Sequence, residues 1–209
     1  MTGQESSPED LALHGPRILG FASAARVAGR YGLAPAVVEE LLLDDEAYGW
    51  VRRSEFAGTA GWSLTPAGRR EDQRRMSAEL DLVGGRALVL DVHERFLPAN
   101  ARLGQAMTDW QIRPERTDPL AANDHTDWAW DERVLHTLAA LGRDLAGLAD
   151  ELAGRLRRFD RYAGLYAAAL GRIDGGQRRY VDAPELDSCH TVWIQFHEDL
   201  IATLGIDRT

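Results

Sequence analysis

The chain has 209 residues, a formal net charge of -9, 44% hydrophobic residues and 27% charged residues. These values are typical of a globular protein with one large or two small domains, and they exclude a long disordered tract or an apolar run that could span a membrane. The sequence contains no lysine. A phosphate-binding loop of the P-loop type, which requires lysine, is therefore excluded.

The N-terminal sequence MTGQESSPEDL lacks the basic and apolar regions of a secretory signal. Cys189 is the sole cysteine, so the chain cannot form an internal disulfide. We expect a cytoplasmic protein with no membrane partner. The acidic total does not exclude binding to nucleic acid, because the electric field that matters is local to the contacting face.

The first predicted elements are helices, within a segment from residue 8 to about residue 80. Pro8 begins the first helix with an acidic turn, and the Gly15-Pro16 pair should kink or shorten that helix. The second helix begins near Ser23 and ends at Gly32, a residue suited to a left-handed C-cap.

A third helix, a hairpin and a fourth helix are predicted next. Pro35 suits the first position of the third helix. The sequences WVRR at 50–53 and GWSL at 61–64 predict two short strands, separated by small residues and turn formers. Thr65 can cap the fourth helix, which begins at Pro66.

This order of elements, with the phrase GWVRR…GWSLTPAGRR, resembles the winged-helix domains of bacterial transcriptional regulators of the MarR and PadR type. The resemblance implies that the third helix meets base edges in double-stranded DNA, while the hairpin and neighbouring helix ends contact phosphate. Carried over to this chain, the candidate DNA-binding residues are Arg26, Arg30, Ala36, Glu39, Arg52, Arg53, Arg69 and Arg70.

Carboxylates in the third helix favour a second interpretation. The acidic residues of this segment are Glu39, Glu40, Asp44, Asp45 and Glu46. Phosphate repels carboxylates, and the nearby arginines can instead pair with them as a solvated surface. The alternative to a DNA-binding regulator is therefore a winged-helix module for protein interaction or small-molecule binding that does not bind DNA.

The remaining residues are predicted to be helical, with a loop at about 112–127. The strongest periodicity follows this loop, because apolar residues recur there at alternating spacings of four and three: Val134, Leu138, Leu141, Leu145, Leu148 and Leu152. This pattern predicts a helix that packs along its whole length, either within a bundle or across a dimer. We expect a mainly α protein: a winged helix-turn-helix domain at 1–80, with α+β character, and an all-helical bundle domain at 81–209.

The phrases TDWQ, NDHTD and HTVWIQFHEDLIATLGIDR resemble an actinobacterial module that follows the same winged helix. That module occurs alone, as a regulator, or as an extension of proteins similar to pyruvate, phosphate dikinase. The phosphotransfer motifs of the dikinase are not visible in this sequence, so its activity cannot be carried over. The regulator resemblance implies a homodimer and an effector-binding or dimerising second domain.

Tryptophans beside polar residues in the second half suggest either a pocket for a small-molecule effector or an ordinary core. The candidate ligand-binding residues are Trp110, Gln111, Asn123, His125, Trp128, Trp193 and His197. His190 and His197 are seven residues apart, which is not the spacing of a helical zinc motif. The sequence also has no G-x-S-x-G elbow. We therefore expect no metal, no cofactor and no enzymatic activity.

Overall fold

A computed structural model describes residues 3–56 and 58–206. The protein is mainly helical, with one two-stranded antiparallel sheet. The principal elements, in chain order, are α1 (Pro8–Leu19), α2 (Ala24–Tyr31), α3 (Pro35–Ala47), β1 (Val51–Phe56), β2 (Thr59–Leu64), α4 (Pro66–Leu82), α5 (Arg86–Gln111), α6 (Trp128–Ala153), α7 (Arg161–Asp174) and α8 (Cys189–Leu204). Within the described residues, no helix combines the length and the apolar character needed to span a membrane.

The chain divides into two compact units. The first unit comprises Met1–Leu90, Ala153–Arg158 and Gln195–Thr209, and the second comprises Asp91–Leu152 and Phe159–Ile194. This division differs from the single boundary expected at residue 80. The first unit also takes two later segments, because buried side chains on α8 and on residues 153–158 bond to side chains of α1 and α4.

Helix α1 begins as the sequence predicts but is not shortened at Gly15 and Pro16. The Ser7 hydroxyl caps the helix by accepting from the backbone N of Asp10 at 3.1 Å, and the helix continues to Leu19. Gly15 serves the packing of α2 on α1, since a Cβ atom at this position would lie 2.4 Å from Val27.

Helices α2 and α3 are joined by three residues. Ser23 caps α2 by accepting from the backbone N of Arg26. Gly32 ends α2 in the left-handed conformation, with a φ of 73°, and Pro35 occupies the first turn of α3. A short turn with glycine between two packed helices is the connection found in helix-turn-helix motifs.

The β1–β2 hairpin is attached to the chain that enters α2. The strands pair antiparallel, with Arg53 opposite Trp62. Ala22 and Trp62 exchange two backbone hydrogen bonds of 3.1 and 2.8 Å. The hairpin is therefore held beside the start of α2 and does not project freely.

The LTPAG sequence fixes the start of α4 against the start of the hairpin. The Thr65 hydroxyl donates to the backbone oxygen of Gly49 at 2.7 Å and accepts from the backbone N of Gly68 at 3.0 Å. A Cβ atom at Gly68 would lie 1.9 Å from the backbone oxygen of Trp50, so only glycine fits here. The motif is explained by close packing rather than by chemistry.

Each unit has its own apolar packing. In the second unit, the predicted stripe of α6 is buried along its length, from Val134 to Leu152. Because this stripe is covered within the chain, it packs inside a bundle and does not form an exposed dimer seam. In the first unit, the core beneath the helix-turn-helix consists of Ala12, Leu13, Ala22, Ala24, Val27, Ala28, Val38, Leu42, Val51 and Trp62.

Candidate functional site

A cleft lies among the N-terminal ends of α2 and α3 and the hairpin. Its volume is about 420 Å³. Trp62 is buried within it, whereas Ala36 and Arg53 are exposed. The residues that line the cleft, all in the first unit, are Ser23, Ala24, Ala25, Pro35, Ala36, Glu39, Arg53, Ala60 and Trp62. We call this set the α3 cleft.

Arg52 and Arg53 lie on opposite faces of the hairpin, because side chains alternate along a strand. Arg53 lines the α3 cleft, where its guanidinium carbon lies 5.6 Å from the centre of the Trp62 ring. Arg52 pairs with Ser63 in the strand register and is exposed. The structure thus brings only one of these adjacent arginines to the N-terminal end of α3.

The carboxylates of α3 occupy three different environments. Asp45 is buried, and this burial raises its pKa to about 6. Glu46 accepts from the backbone N of Arg53 at 3.0 Å, and Glu39 lies 3.8 Å from the Arg53 guanidinium. Glu40 and Asp44 are exposed. Three of the five carboxylates are therefore buried or in contact with Arg53. Two of the five, Glu40 and Asp44, remain exposed without such a contact to Arg53.

The remaining predicted DNA-binding arginines are not equivalent. Arg26 at the start of α2 and Arg70 on α4 are exposed. Arg69 is partly engaged, since it donates to Glu198 at 2.8 Å. Arg30 is buried, with 8% of its surface exposed, which corrects the expectation that it contacts phosphate.

A cluster of buried charged residues lies elsewhere in the first unit. His14 Nδ1 lies 2.8 Å from Asp72, and its Nε2 lies 3.2 Å from Asp199 in an ion-pair contact that is not an aligned hydrogen bond. Arg17 pairs with Asp72 at 2.9 Å, and Arg158 pairs with Asp199 at 3.1 Å. We call His14, Arg17, Asp72, Arg158 and Asp199 the buried charge cluster.

Burial and pairing act on this cluster in opposite directions. Burial lowers the pKa of His14, but Asp72 and Asp199 outweigh it and raise that pKa to about 9. Burial raises the pKa of Asp72, yet His14 and Arg17 hold it below its ordinary value. His14 is therefore an imidazolium at neutral pH, and its charge is balanced inside the protein.

Sequence reasoning missed the buried charge cluster because its members come from α1, α4, α8 and residues 153–158. One local signal was available. Asp199 stands between the apolar residues Phe196 and Leu200, where a carboxylate interrupts a stripe that predicts burial.

Five of the seven predicted ligand-binding residues take part in contacts around the start of α6. Asp131, which is fully buried, accepts from Asn123 Nδ2 at 3.0 Å and lies 3.1 Å from His125 Nδ1 and from Arg178. The His125 ring lies 4.4 Å from the Trp110 ring. The other predicted members here are Gln111, which donates to Asp182, and Trp128, which lies 5.4 Å from the Arg178 guanidinium.

This arrangement holds the 112–127 loop against α6. His125 has a φ of 58°, uncommon for a residue other than glycine, and its backbone N donates to Asn123 Oδ1 at 3.1 Å. Trp128 remains 59% exposed. The outer part of the site therefore offers an indole and a guanidinium to solvent, while the bonds of Asp131 are used within the protein.

The other two predicted ligand residues lie elsewhere. Trp193 is in the interior of the second unit, where its Nε1 donates to Asn100 at 3.0 Å and its ring stacks on Phe96. His197 is buried and belongs to the first unit. The sequence placed Trp193 and His197 with the other candidates because of their side-chain types. In the folded chain, however, these two residues of α8 belong to different units.

A groove between α5 and α6 in the second unit was also missed. It encloses about 390 Å³ and has Ala106 and Val134 at its floor. Arg133 lies 4.9 Å from the Trp130 ring at one edge. The polar residues of the groove are Arg102, Gln105, Asp109, Arg133 and Thr137, none of which the sequence singled out.

Comparison of the chain with known protein families, with curated proteins and with solved structures gives no match.

Proposed function

We propose that the first unit is a winged-helix domain that binds double-stranded DNA and that the protein is a transcriptional regulator. The observation that carries this proposal is the α3 cleft. There, a helix-turn-helix presents the exposed start of its second helix beside a hairpin that bears Arg53. In a winged helix these are the positions that enter the major groove and contact phosphate. Arg26 and Arg52 would add phosphate contacts beside the cleft.

The distribution of charge supports this assignment. The first unit contains 16 acidic residues and 14 arginines, whereas the second contains 17 and 10, so most of the acidic excess belongs to the second unit. Burial leaves this balance nearly unchanged, because the buried acids Asp45, Asp72, Glu79 and Asp199 are matched by buried Arg17, Arg30 and Arg158 with the protonated His14. A local field suitable for DNA is compatible with an acidic chain.

The direct test is a titration of labelled duplex DNA, from the upstream region of the protein's own coding sequence and of random sequence, at two salt concentrations. We expect preferential binding to the upstream duplex that weakens as salt rises, since neutralised phosphates release counterions. Replacing Arg53 with alanine should weaken binding and reduce the salt slope by about one. The matched control is Arg143→Ala, which removes an exposed arginine of the second unit.

Two outcomes would contradict the proposal. One is absence of binding at micromolar protein and low salt. The other is an equal loss of affinity in the Arg53 and Arg143 variants, since this would mean that total charge, rather than the α3 cleft, determines binding.

The second unit would then serve as the effector-binding and dimerising part of the regulator. The groove between α5 and α6 supports effector binding, because it combines an apolar floor with polar groups at its edge. A homodimer would set the spacing of two winged helices on pseudo-palindromic DNA. Sedimentation of the full chain measures the oligomeric state, and a monomer at all concentrations used for DNA binding would contradict this part.

One observation favours a second candidate, a winged helix that binds another protein. The exposed surface of α3 and the residues after it carries apolar side chains: Val37 is 44% exposed, Leu43 45% and Tyr48 69%. Large apolar side chains exposed on a surface are candidates for contact with another protein. Here the partner tested is a second copy of the chain: if Leu43→Asp abolished self-association measured by sedimentation, and neither wild type nor variant bound DNA, contact through α3 would replace DNA binding as the function of this domain.

A further inference from the structure

We infer that Glu39 is a specificity-determining residue that reads cytosine, beside Arg53, whose positive charge lowers the repulsion between Glu39 and phosphate. This inference rests on the proposed DNA-binding function. It concerns the base pair that the α3 cleft would select, which the fold alone does not specify.

The side chains that α3 contributes to the cleft differ in the hydrogen bonds they can form. In the first two turns of α3, the cleft is lined by Pro35, Ala36 and Glu39. Of these, only Glu39 can form a hydrogen bond through its side chain. An ionised carboxylate accepts hydrogen bonds and donates none.

The base edges in the major groove differ in the groups they present. Guanine presents two acceptors there, so a carboxylate is repelled. Adenine presents its amino donor beside the acceptor N7, which also opposes a carboxylate. Thymine presents an acceptor, whereas the edge of cytosine itself carries an amino donor and no acceptor, so cytosine is the base that Glu39 fits best.

The negative charge of Glu39 is partly offset by a neighbouring arginine. A lone carboxylate near phosphate would oppose binding, but Glu39 Oε1 lies 3.8 Å from the Arg53 guanidinium. This contact is longer than a hydrogen bond, and both side chains remain partly exposed, 52% for Arg53 and 39% for Glu39. Arg53 thus offsets the charge of Glu39, while the exposed carboxylate can still accept a hydrogen bond from a base.

Ala36 would add an apolar contact with DNA to the hydrogen bond of Glu39. It is exposed and lies one turn before Glu39 on the same face of α3. A methyl group in the major groove favours the methyl of thymine. The preferred half-site is therefore expected to contain cytosine with thymine close to it.

The test is selection from a pool of random DNA duplexes by the full-length protein, followed by sequencing. We expect cytosine at one fixed position of the enriched site. Replacing that base pair by a thymine–adenine pair should weaken binding to the wild-type protein by roughly 10- to 100-fold. This DNA-side change requires no protein variant and so does not depend on the folding of one.

The matched variants are Glu39→Gln and Asp44→Asn, which remove the same charge from the same helix. Glutamine binds adenine through both N6 and N7. The Glu39→Gln protein should therefore select adenine at the position where the wild type selects cytosine. Asp44 is exposed, lies beyond the first two turns, and does not line the α3 cleft, so Asp44→Asn should select the wild-type site.

The results distinguish a failure of the role of Glu39 from a failure of the proposed DNA binding. Enrichment of a site that lacks the cytosine, or the same site selected by wild type and Glu39→Gln, overturns the role of Glu39 and leaves DNA binding intact. Absence of any enriched site together with absence of salt-dependent binding overturns the proposed function and the role of Glu39 together.

Discussion

Charged residues are used differently in the two units. In the first, His14, Asp72 and Asp199 are almost completely removed from water and pair with one another across three helices. In the second, the pair of Arg102 and Asp144 joins α5 to α6 at 3.1 Å, with both side chains about half exposed. The interior of that unit is mainly apolar and includes the leucine stripe of α6, with Asp131 as a buried carboxylate paired with the partly exposed His125 and Arg178.

This difference shows that counts of ion pairs are a poor guide to what holds each unit together. A buried ion pair is costly to form, but breaking it leaves an unpaired charge in a medium that cannot solvate it. An exposed pair gains little, because water solvates both partners well when they are apart. The same kind of substitution should therefore cost much more stability in the buried pairs of the first unit than in the exposed Arg102–Asp144 pair of the second.

The largest expected effect is that of Asp199→Asn. This change removes a charge shared by His14 and Arg158, and the loss of one partner of a buried ion pair costs about 3 to 5 kcal/mol of unfolding free energy. The equivalent change in the exposed pair, Asp144→Asn, should cost less than about 1 kcal/mol. Chemical denaturation at pH 7 measures both, and equal losses would contradict the distinction between the units.

A second prediction tests the apolar interior of the second unit. Leu141 is completely buried in the α6 stripe, and Leu141→Ala should cost about 3 kcal/mol through lost transfer energy and a residual cavity. Leu120→Ala is the control, because Leu120 is 73% exposed and should change stability by less than about 0.5 kcal/mol. A loss at Leu141 no greater than that at Leu120 would mean that the stripe is not a packed core.

The pH dependence of stability gives a third prediction. The pKa of His14 is raised in the folded protein, so its stabilising contribution is fully present below its ordinary pKa of 6.5 and is lost as the pH rises through about 9. We expect an alkaline loss of about 2 to 3 kcal/mol between these values. His14→Gln should remove this slope, whereas replacing His136, exposed on α6, should retain it. An alkaline slope unchanged in His14→Gln would assign it to another group.

The smallest effect concerns a buried charge outside the cluster. Burial raises the pKa of Asp45 from 3.8 to about 6, so its contribution is favourable below pH 3.8 and is lost as the pH rises through 6. Asp45→Asn should therefore stabilise the protein by about 1 to 2 kcal/mol at pH 7.5. Thermal unfolding at pH 7.5 and pH 4 measures the gain and its loss in acid. Asp44→Asn, at an exposed neighbour, is the control and should be nearly neutral.

Much of the fold followed from local signals. Ser23, Gly32 and Pro35 predicted the limits of α2 and α3, and the structure confirms them because capping and the φ preferences of glycine and proline act within a few residues. Thr65 and Pro66 likewise predicted the start of α4. Of the kink or shortening expected at Gly15 and Pro16, the shortening does not occur, since α1 continues to Leu19 with Pro16 inside it.

The candidate sites were less accessible to sequence reasoning. The sequence named both Arg52 and Arg53 as candidates, and the strand pleat turns only Arg53 toward the α3 cleft. The sequence pattern did not identify Asp131, although this residue contacts the predicted residues Asn123 and His125. The positions of Arg53 and Asp131 depend on which face of a strand or helix is buried. Residues distant in the sequence decide which face that is.

By itself, the sequence determined the mainly helical class, the short turn between α2 and α3, the hairpin and the apolar stripe of α6. Only the tertiary structure decided that the second half of α8 belongs to the first unit and that Asp199 pairs with His14 and Arg158. The reason is physical: helix caps and periodicity are set by neighbouring residues. The free energy of a buried charge, by contrast, depends on whether an opposite charge from a remote segment reaches it.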